Sequence, residues 1–234
     1  MSKKKRRFKA AAAVAAEGGF GVALDGARLK TPKGAELRVA SRRLAEAIAA
    51  EWNAQDEDIE PATMPFTRSA NAAIDRIAAA RDATIASLAA YADSDLLCYR
   101  ASGPPDLVRA EEAAWGPLLD WLRGRYGAEL RVTSGIVPVA QPREAVAKLA
   151  EALSGFDEMM LAGLHLATTG CGSLVLALAL AEGRVSADEA LALGQTDEAF
   201  QAARWGATED YAARREALAR DIASAARFME WCRP

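Results

Sequence analysis

The chain has 234 residues, 51% of them hydrophobic and only 6% aromatic, with a formal net charge of −3. That is enough chain and apolar surface for one large or two modest domains with a real core. The mildly acidic balance argues against a dedicated nucleic-acid reader, although six cations (Lys3, Lys4, Lys5, Arg6, Arg7 and Lys9) crowd the first nine residues as a basic arm.

Residues 8 to 40 carry turn signals at Gly18-Gly19, Asp25-Gly26 and Pro32-Lys33-Gly34, separated by short extendable runs. In "FGVALDGARLKTP" Phe20, Val22 and Leu24 alternate before an Asp-Gly turn, the pattern of a hairpin, so three or four antiparallel strands are expected. Ser41 then caps a helix whose apolar stripe is Leu44, Ala45, Ile48, Ala49 and Trp52, with Trp52 read as a structural core residue. The Pro-containing stretch 56 to 67 has no periodicity and marks a boundary, giving domains 1–64 and 65–234.

Everything beyond it reads as helical. Ile74, Ile77, Ile85 and Leu88 fill two segments, and after the break at Gly103-Pro104-Pro105 a stripe of Trp115, Leu118, Leu119, Leu122 and Tyr126 defines a helix of about four turns. "LRVTSGIVPVAQP" is extended or irregular; Pro142 opens a helix with Val146, Leu149 and Leu153 facing inward. Asp157 caps the next helix and Ser173 caps the apolar run "LVLALALA", too short for the about 20 residues a bilayer needs. Ser186 with Glu189 forms a capping box, and a long last helix starts near Thr208. The fold class is therefore α+β, mainly α: a small N-terminal antiparallel sheet with a helix, then an all-helical orthogonal bundle.

Few residues carry chemistry. Cys98, Cys171 and Cys232 are dispersed and odd in number, which excludes a fully paired disulfide framework and fits a reducing compartment. The lone histidine, His165, has apolar flanks and reads as a packed core residue. "TTGCGS", residues 168 to 173, resembles a phosphate cradle at a helix N-terminus but lacks a P-loop lysine, so a tight interhelical turn is favoured. In "SDLLCYRA" Asp95, Tyr99 and Arg100 are read as a structural hydrogen-bond cluster. The rival reading is a small hydrolase using Cys171, or Asp95 with Arg100. A second rival is a nucleic-acid or membrane adaptor acting through the basic arm.

"QTDEAFQAARWG", residues 195 to 206, is the densest polar stretch. On a helix Glu198, Gln201 and Trp205 share a face, and Asp197, Gln201 and Arg204 share an overlapping one. The adjacent carboxylates point about 100° apart, so they are no acid and base pair for one bond. The stretch is either a surface charge network or a partner-binding patch of Glu198, Asp197, Gln201 and Trp205.

Seven stretches in order, "GGFGVALDGARLKTPKG", "LAEAIAAEWNAQ", "IEPATMPFTRSANAAIDR", "YADSDLLCYRA", "WGPLLDWL", "LALALAEG" and "DEAFQAARWG", resemble the assembly chaperones of the F1 part of ATP synthase in mitochondria and alphaproteobacteria, the branch acting on the alpha subunit. The resemblance implies a non-catalytic chaperone without a cofactor or a metal. It would bind the free F1 alpha subunit, cover the surface that later packs on the beta subunit, and yield it on assembly. It implies a monomer with no nucleic acid and no stable membrane insertion, in the bacterial cytoplasm or, in a eukaryote, the mitochondrial matrix. By motif it puts the family's functionally sensitive acid at Glu198. Two departures stand out: "RRFKAA" has no aromatic beside Phe8, and Ser69 stands where the family has leucine and asparagine.

Overall fold

The structure, a computed structural model, describes residues 4–135 and 137–233, so Met1, Ser2 and Lys3 of the basic arm lie outside the described residues. In chain order the elements are β1 (Lys4–Lys5), β2 (Ala11–Ala16), β3 (Gly19–Leu24), β4 (Ala27–Arg28), β5 (Arg38–Val39), α1 (Arg42–Asn53), β6 (Asp58–Ile59), α2 (Pro65–Ala72) and α3 (Arg81–Ala90). They continue with β7 (Tyr99–Arg100), α4 (Pro105–Tyr126), β8 (Thr133–Ser134), α5 (Arg143–Ser154), α6 (Glu158–Cys171), α7 (Leu174–Ala181), α8 (Ala187–Gly194), α9 (Thr196–Trp205) and α10 (Glu209–Cys232). The molecule is mainly helical with a small antiparallel sheet, as its patterning requires. Its contacts form two units: residues 1–81 with 157–163 and 227–234, and residues 82–156 with 164–226. The division read from sequence at residue 64 separates segment 65–81 from the strands; the contacts group them.

In the first unit the sheet runs β2-β3-β4, with β5 also paired to β3, all antiparallel. The Asp-Gly turn forms as expected: Asp25 and Gly26 both have positive φ, 47° and 85°. The Asp25 carboxylate accepts from the backbone N–H groups of Lys9 and Ala10, which hold its pKa below the usual carboxylate value. Gly19 is needed for contact, because a Cβ there would sit 2.4 Å from the Val39 carbonyl oxygen.

Helix α1 lies on this sheet. Ser41 caps it by accepting from the Leu44 N–H, and Leu44, Ala45, Ile48 and Ala49 are buried against Val22, Leu37 and Val39 of the same core. Asn53 pins its end to β2, accepting from Ala11 N (2.7 Å) and donating to Ala11 O (2.8 Å). Trp52 departs from expectation, being half-buried: one turn beyond Ile48 it meets Phe8 edge-on at 5.7 Å between centroids and lines a surface cleft. Glu51 joins α1 to the start of α2 by accepting from Phe66 N, Thr67 N and Thr67 Oγ1. Ile77 is buried but Ile74 is only half-buried, because the chain passes through a π-helical turn over Ala73–Ile77 that shifts the helical phase. The last residues of the chain close this unit: Arg43 pairs with Glu230 (3.1 Å), and Phe66 packs on Trp231 at 5.2 Å.

The second unit centres on α7, every residue of which is buried. Its run of leucine, valine and alanine is hydrophobic all round because helices cover all its sides. No helix among the described residues is long and apolar enough to cross a membrane. Helix α4 is longer than expected, 22 residues, and buries Leu107, Trp115, Leu118 and Leu122. The caps read from sequence form: Asp157 accepts from Met160 N, Ser173 from Leu176 N, and Ser186 with Glu189 completes a capping box. The unit is not all helical, since β7 and β8 make a short parallel pair, Tyr99 with Thr133 and Arg100 with Ser134. His165 is exposed, not packed in a core; Leu161, Leu164 and Ala167 of α6 point inward while His165 and Thr169 form its solvent face.

Candidate functional site

The polar stretch that opens at Gln195 is helical as drawn, and α9 buries none of its own residues. Glu198 and Gln201 are exposed, and Trp205 is 72% exposed at the last position before Gly206, whose φ of 89° ends the helix. The Arg204 guanidinium lies over the Trp205 ring at 5.9 Å. Trp205 thus stands in solvent on the same helix as an exposed acid and an exposed amide, residue types that interface hot spots and their rims use.

Asp197 is turned the other way. It is neither part of that exposed face nor of a surface network with Arg204 or Gln201; its carboxyl meets Glu111 of α4. Glu111 is fully buried and accepts from Ala101 N at 2.7 Å. Glu111 Oε1 and Asp197 Oδ1 are both buried with no donor of their own, so the two carboxyls hydrogen-bond only by sharing a proton. Burial, then the Asp197 contact, pushes the Glu111 pKa up to about 7. Beside the pair Arg100 is 6% exposed; its guanidinium stacks over Trp115 at 4.9 Å, and Nε faces Glu112 Oε2 at 3.5 Å. The inner face of α9 thus meets α4 through the Glu111 and Asp197 carboxyls next to a buried cation, and its outer face is exposed.

Because the folded state holds the Glu111 proton more tightly than the unfolded chain, stability from this pair is complete below about pH 4.5 and is lost as pH rises towards about 7. Glu111→Gln keeps an acceptor for Ala101 and gives Asp197 a permanent donor. The melting temperature of the variant should equal or exceed the parent's above pH 7, and its decline between pH 6 and 7 should be flatter, as read by circular-dichroism melts from pH 5 to 8.

Asp95 and Arg100 do not form the cluster drawn from sequence, because residues 91–98 are 3₁₀ turns and not an α-helix. Asp95, fully buried, accepts from Ser173 Oγ (2.7 Å), Leu97 N (3.1 Å) and Val175 N (3.1 Å), while Tyr99 donates its hydroxyl to Asp93 O. The glycine-rich cradle before α7 therefore holds an anion after all, the chain's own Asp95. Its pKa is nevertheless raised to about 6 by burial. Cys171 is buried, and burial followed by the Asp95 charge pushes its thiol up to about 12. It is no nucleophile with a base at hand, and the large surface cleft of the first unit contains none of Cys171, Asp95 or Arg100. No group of three or more histidine, cysteine or carboxylate residues among the described residues is arranged to hold a metal.

Residues 5–123 match the family model described as ATP12 chaperone protein, slightly more than half of the chain. The chain belongs to the ATP12 chaperone family. It is 25% identical over 201 residues to the Schizosaccharomyces pombe protein atp12, mitochondrial, covering 81% of this chain and 69% of that one. It is also similar to the crystal structure of Atp12 from Paracoccus denitrificans, with 41% identity, 98% of each chain covered and a TM-score of 0.90. The Agrobacterium tumefaciens protein Atu1473 gives 40% identity, 97% of this chain, 85% of that chain and a TM-score of 0.91. The stretch matched by the ATP12 model includes Arg100 and Glu111, whereas α9 lies beyond it and within the structural alignments' near-complete coverage. Glu111 was missed from sequence. The signal was its spacing, since 107, 111, 115, 118 and 122 form a single helical stripe with an acid on the buried side.

Proposed function

We infer that this chain, a chaperone of the ATP12 family, serves assembly of the F1 sector of ATP synthase. We propose that this chain does so by binding the free F1 alpha subunit through the outer face of α9, with Glu198, Gln201 and Trp205 in contact and Asp197 holding the helix in place. The observation that carries the reading is the exposed Trp205 at the end of a helix none of whose residues is buried as a whole. An unassembled subunit exposes apolar surface destined for its neighbour. A cover for it needs apolar area with a few polar anchors and no more affinity than the true partner can displace. Release is then by exchange with the beta subunit. The chain transforms no substrate and works as a monomer without a cofactor, in the bacterial cytoplasm or the mitochondrial matrix.

Glu198→Lys is the direct test. Glu198 is exposed and makes no side-chain hydrogen bond or ion pair among the described residues, so the melting temperature should stay within about 2 °C of the parent's, consistent with the small effect of surface substitutions. Affinity for alpha subunit measured by calorimetry should fall roughly tenfold, or about 1.4 kcal/mol. Trp205→Ala should cost as much or more. Undiminished capture of newly made alpha subunit by both variants would move the site away from α9.

A further inference from the structure

The first unit contains a cleft of about 1210 Å³ between the β4 turn region and α2, which the α9 reading does not use. Its floor is apolar: Leu24, Trp52, Ile59 and Met64 contribute to it. Its rim carries five cations, Arg28, Lys30, Lys33, Arg68 and Arg76, against a single carboxylate, Asp75. Asp75 is already engaged, accepting from Thr31 Oγ1 (2.6 Å) and Lys33 N (3.1 Å), while Lys33 Nζ donates to its backbone carbonyl (2.8 Å). Those bonds latch the loop at Pro32 onto the helix and hold that wall of the cleft in place. Arg28 pairs with Glu36 outside the lining. Lys30, Arg68 and Arg76 are exposed and make no ion pair within 4.0 Å among the described residues. The rim therefore has an unanswered positive field over an apolar trough, in a protein whose net charge is negative.

Two further atoms fit an occupant with a polypeptide backbone. Trp52 Nε1 and Asn71 Oδ1 are buried with no hydrogen-bond partner among the described residues, and both residues line the cleft. Buried polar groups without partners are uncommon in a finished fold. After a small rotation of each side chain, a peptide carbonyl and a peptide N–H would answer the donor and the acceptor.

We propose that this cleft docks an extended acidic segment of the client polypeptide, with an apolar side chain seated on the Trp52 floor and carboxylates paired with Lys30, Arg68 and Arg76. The proposal rests on the reading of the chain as a chaperone of a polypeptide client, and adds a second contact on a different unit from α9. An apolar trough distinguishes this site from a nucleic-acid groove, which needs base-stacking platforms along a basic track. Charge complementarity of this kind steers encounter and selects partners, and it weakens with salt.

The probe is a fluorescein-labelled twelve-residue peptide alternating leucine or phenylalanine with glutamate, titrated with the full chain and followed by anisotropy. The acidic peptide should bind, at least tenfold more tightly than the same peptide with lysine for glutamate, and less tightly in 0.5 M salt. Arg68→Glu combined with Arg76→Glu should reduce affinity at least tenfold without moving the melting temperature, since both side chains are exposed; Lys30→Glu alone serves if the double variant does not fold. Equal binding of the lysine peptide, stronger binding of a single-stranded oligonucleotide of the same charge, or unchanged affinity in the folded charge-reversal variant would overturn the proposal. No alpha subunit is present in this assay and α9 is untouched by these substitutions, so its failure leaves the α9 reading to be judged by the Glu198→Lys experiment.

Discussion

Replacing Trp115 with alanine is expected to lower the unfolding free energy by about 3 to 5 kcal/mol, the range for removing a large aromatic side chain from a packed core. The ring is 1% exposed, and its loss would leave a cavity beneath α4. Two polar consequences add to the missing volume. Its Nε1 donates to the Leu193 carbonyl at 2.8 Å, near the end of α8, and that acceptor would keep only the Thr196 hydroxyl at 2.9 Å. The face that covers the Arg100 guanidinium at 4.9 Å would also vanish, exposing a buried cation to a void. Trp115→Phe keeps most of the apolar area and the ring face but not the donor, so it should cost roughly half as much. Urea unfolding followed by circular dichroism measures both. Because Leu193 lies in the last turn of α8, three residues before α9 starts, the alanine variant should also lose alpha-subunit capture, whereas Glu198→Lys should lose capture alone.

The second large effect is expected at Asp95. Asp95→Ala removes the acceptor of Ser173 Oγ, Leu97 N and Val175 N at once, inside a fully buried site at the start of the central helix α7. Stranding three buried donors at about 1 to 3 kcal/mol each, with partial relaxation and non-additivity, gives a loss of about 3 to 5 kcal/mol. Asp95→Asn retains one carbonyl oxygen and should cost less than half of that. Since burial raises the Asp95 pKa to about 6, the parent loses stability as pH rises from about 3.8 to about 6. That slope should vanish in the asparagine variant, and a parent profile flat over this window would refute the assignment. The window overlaps that of Glu111, about 4.5 to 7, so melts of the Asp95→Asn and Glu111→Gln variants beside the parent from pH 3 to 8 separate the two carboxyls.

Local chemistry was the legible part of this molecule. Ser41, Asp157, Ser173 and the Ser186 with Glu189 box all cap where a side-chain oxygen followed by an apolar run requires it, and Asp25-Gly26 makes the turn that only positive φ allows. The apolar all-round α7 likewise announced its burial. Non-local pairing was illegible. In "RAEEAAWG" nothing about Glu111 as a letter separates it from exposed Glu112, and its partner Asp197 lies 86 positions later, so only the stripe phase hinted at burial. Asp95 looked like a local helix-end residue because its true ligand, the start of α7, is nearly 80 residues away in the chain. The basic rim escaped notice for the same reason, its cations being split between residues 28–33 and 68–76 with no run of like charge in either. Trp52 sat on the expected stripe, but a stripe does not tell where a helix outruns the surface it packs on.

The sheet-bearing unit is stitched from the two ends and the middle of the chain, with Arg43 bonded to Glu230 across 187 positions and Phe66 resting on Trp231. During synthesis the strands and α1 leave the ribosome well before the residues that seal their helical flank, which are made 187 positions after Arg43. Such distant closure is slow in entropy terms and comes late in time. A nascent molecule therefore holds the sheet unsealed until residues 227–233 emerge, so removing them should unseat the strands and α1 more than the unit around α7.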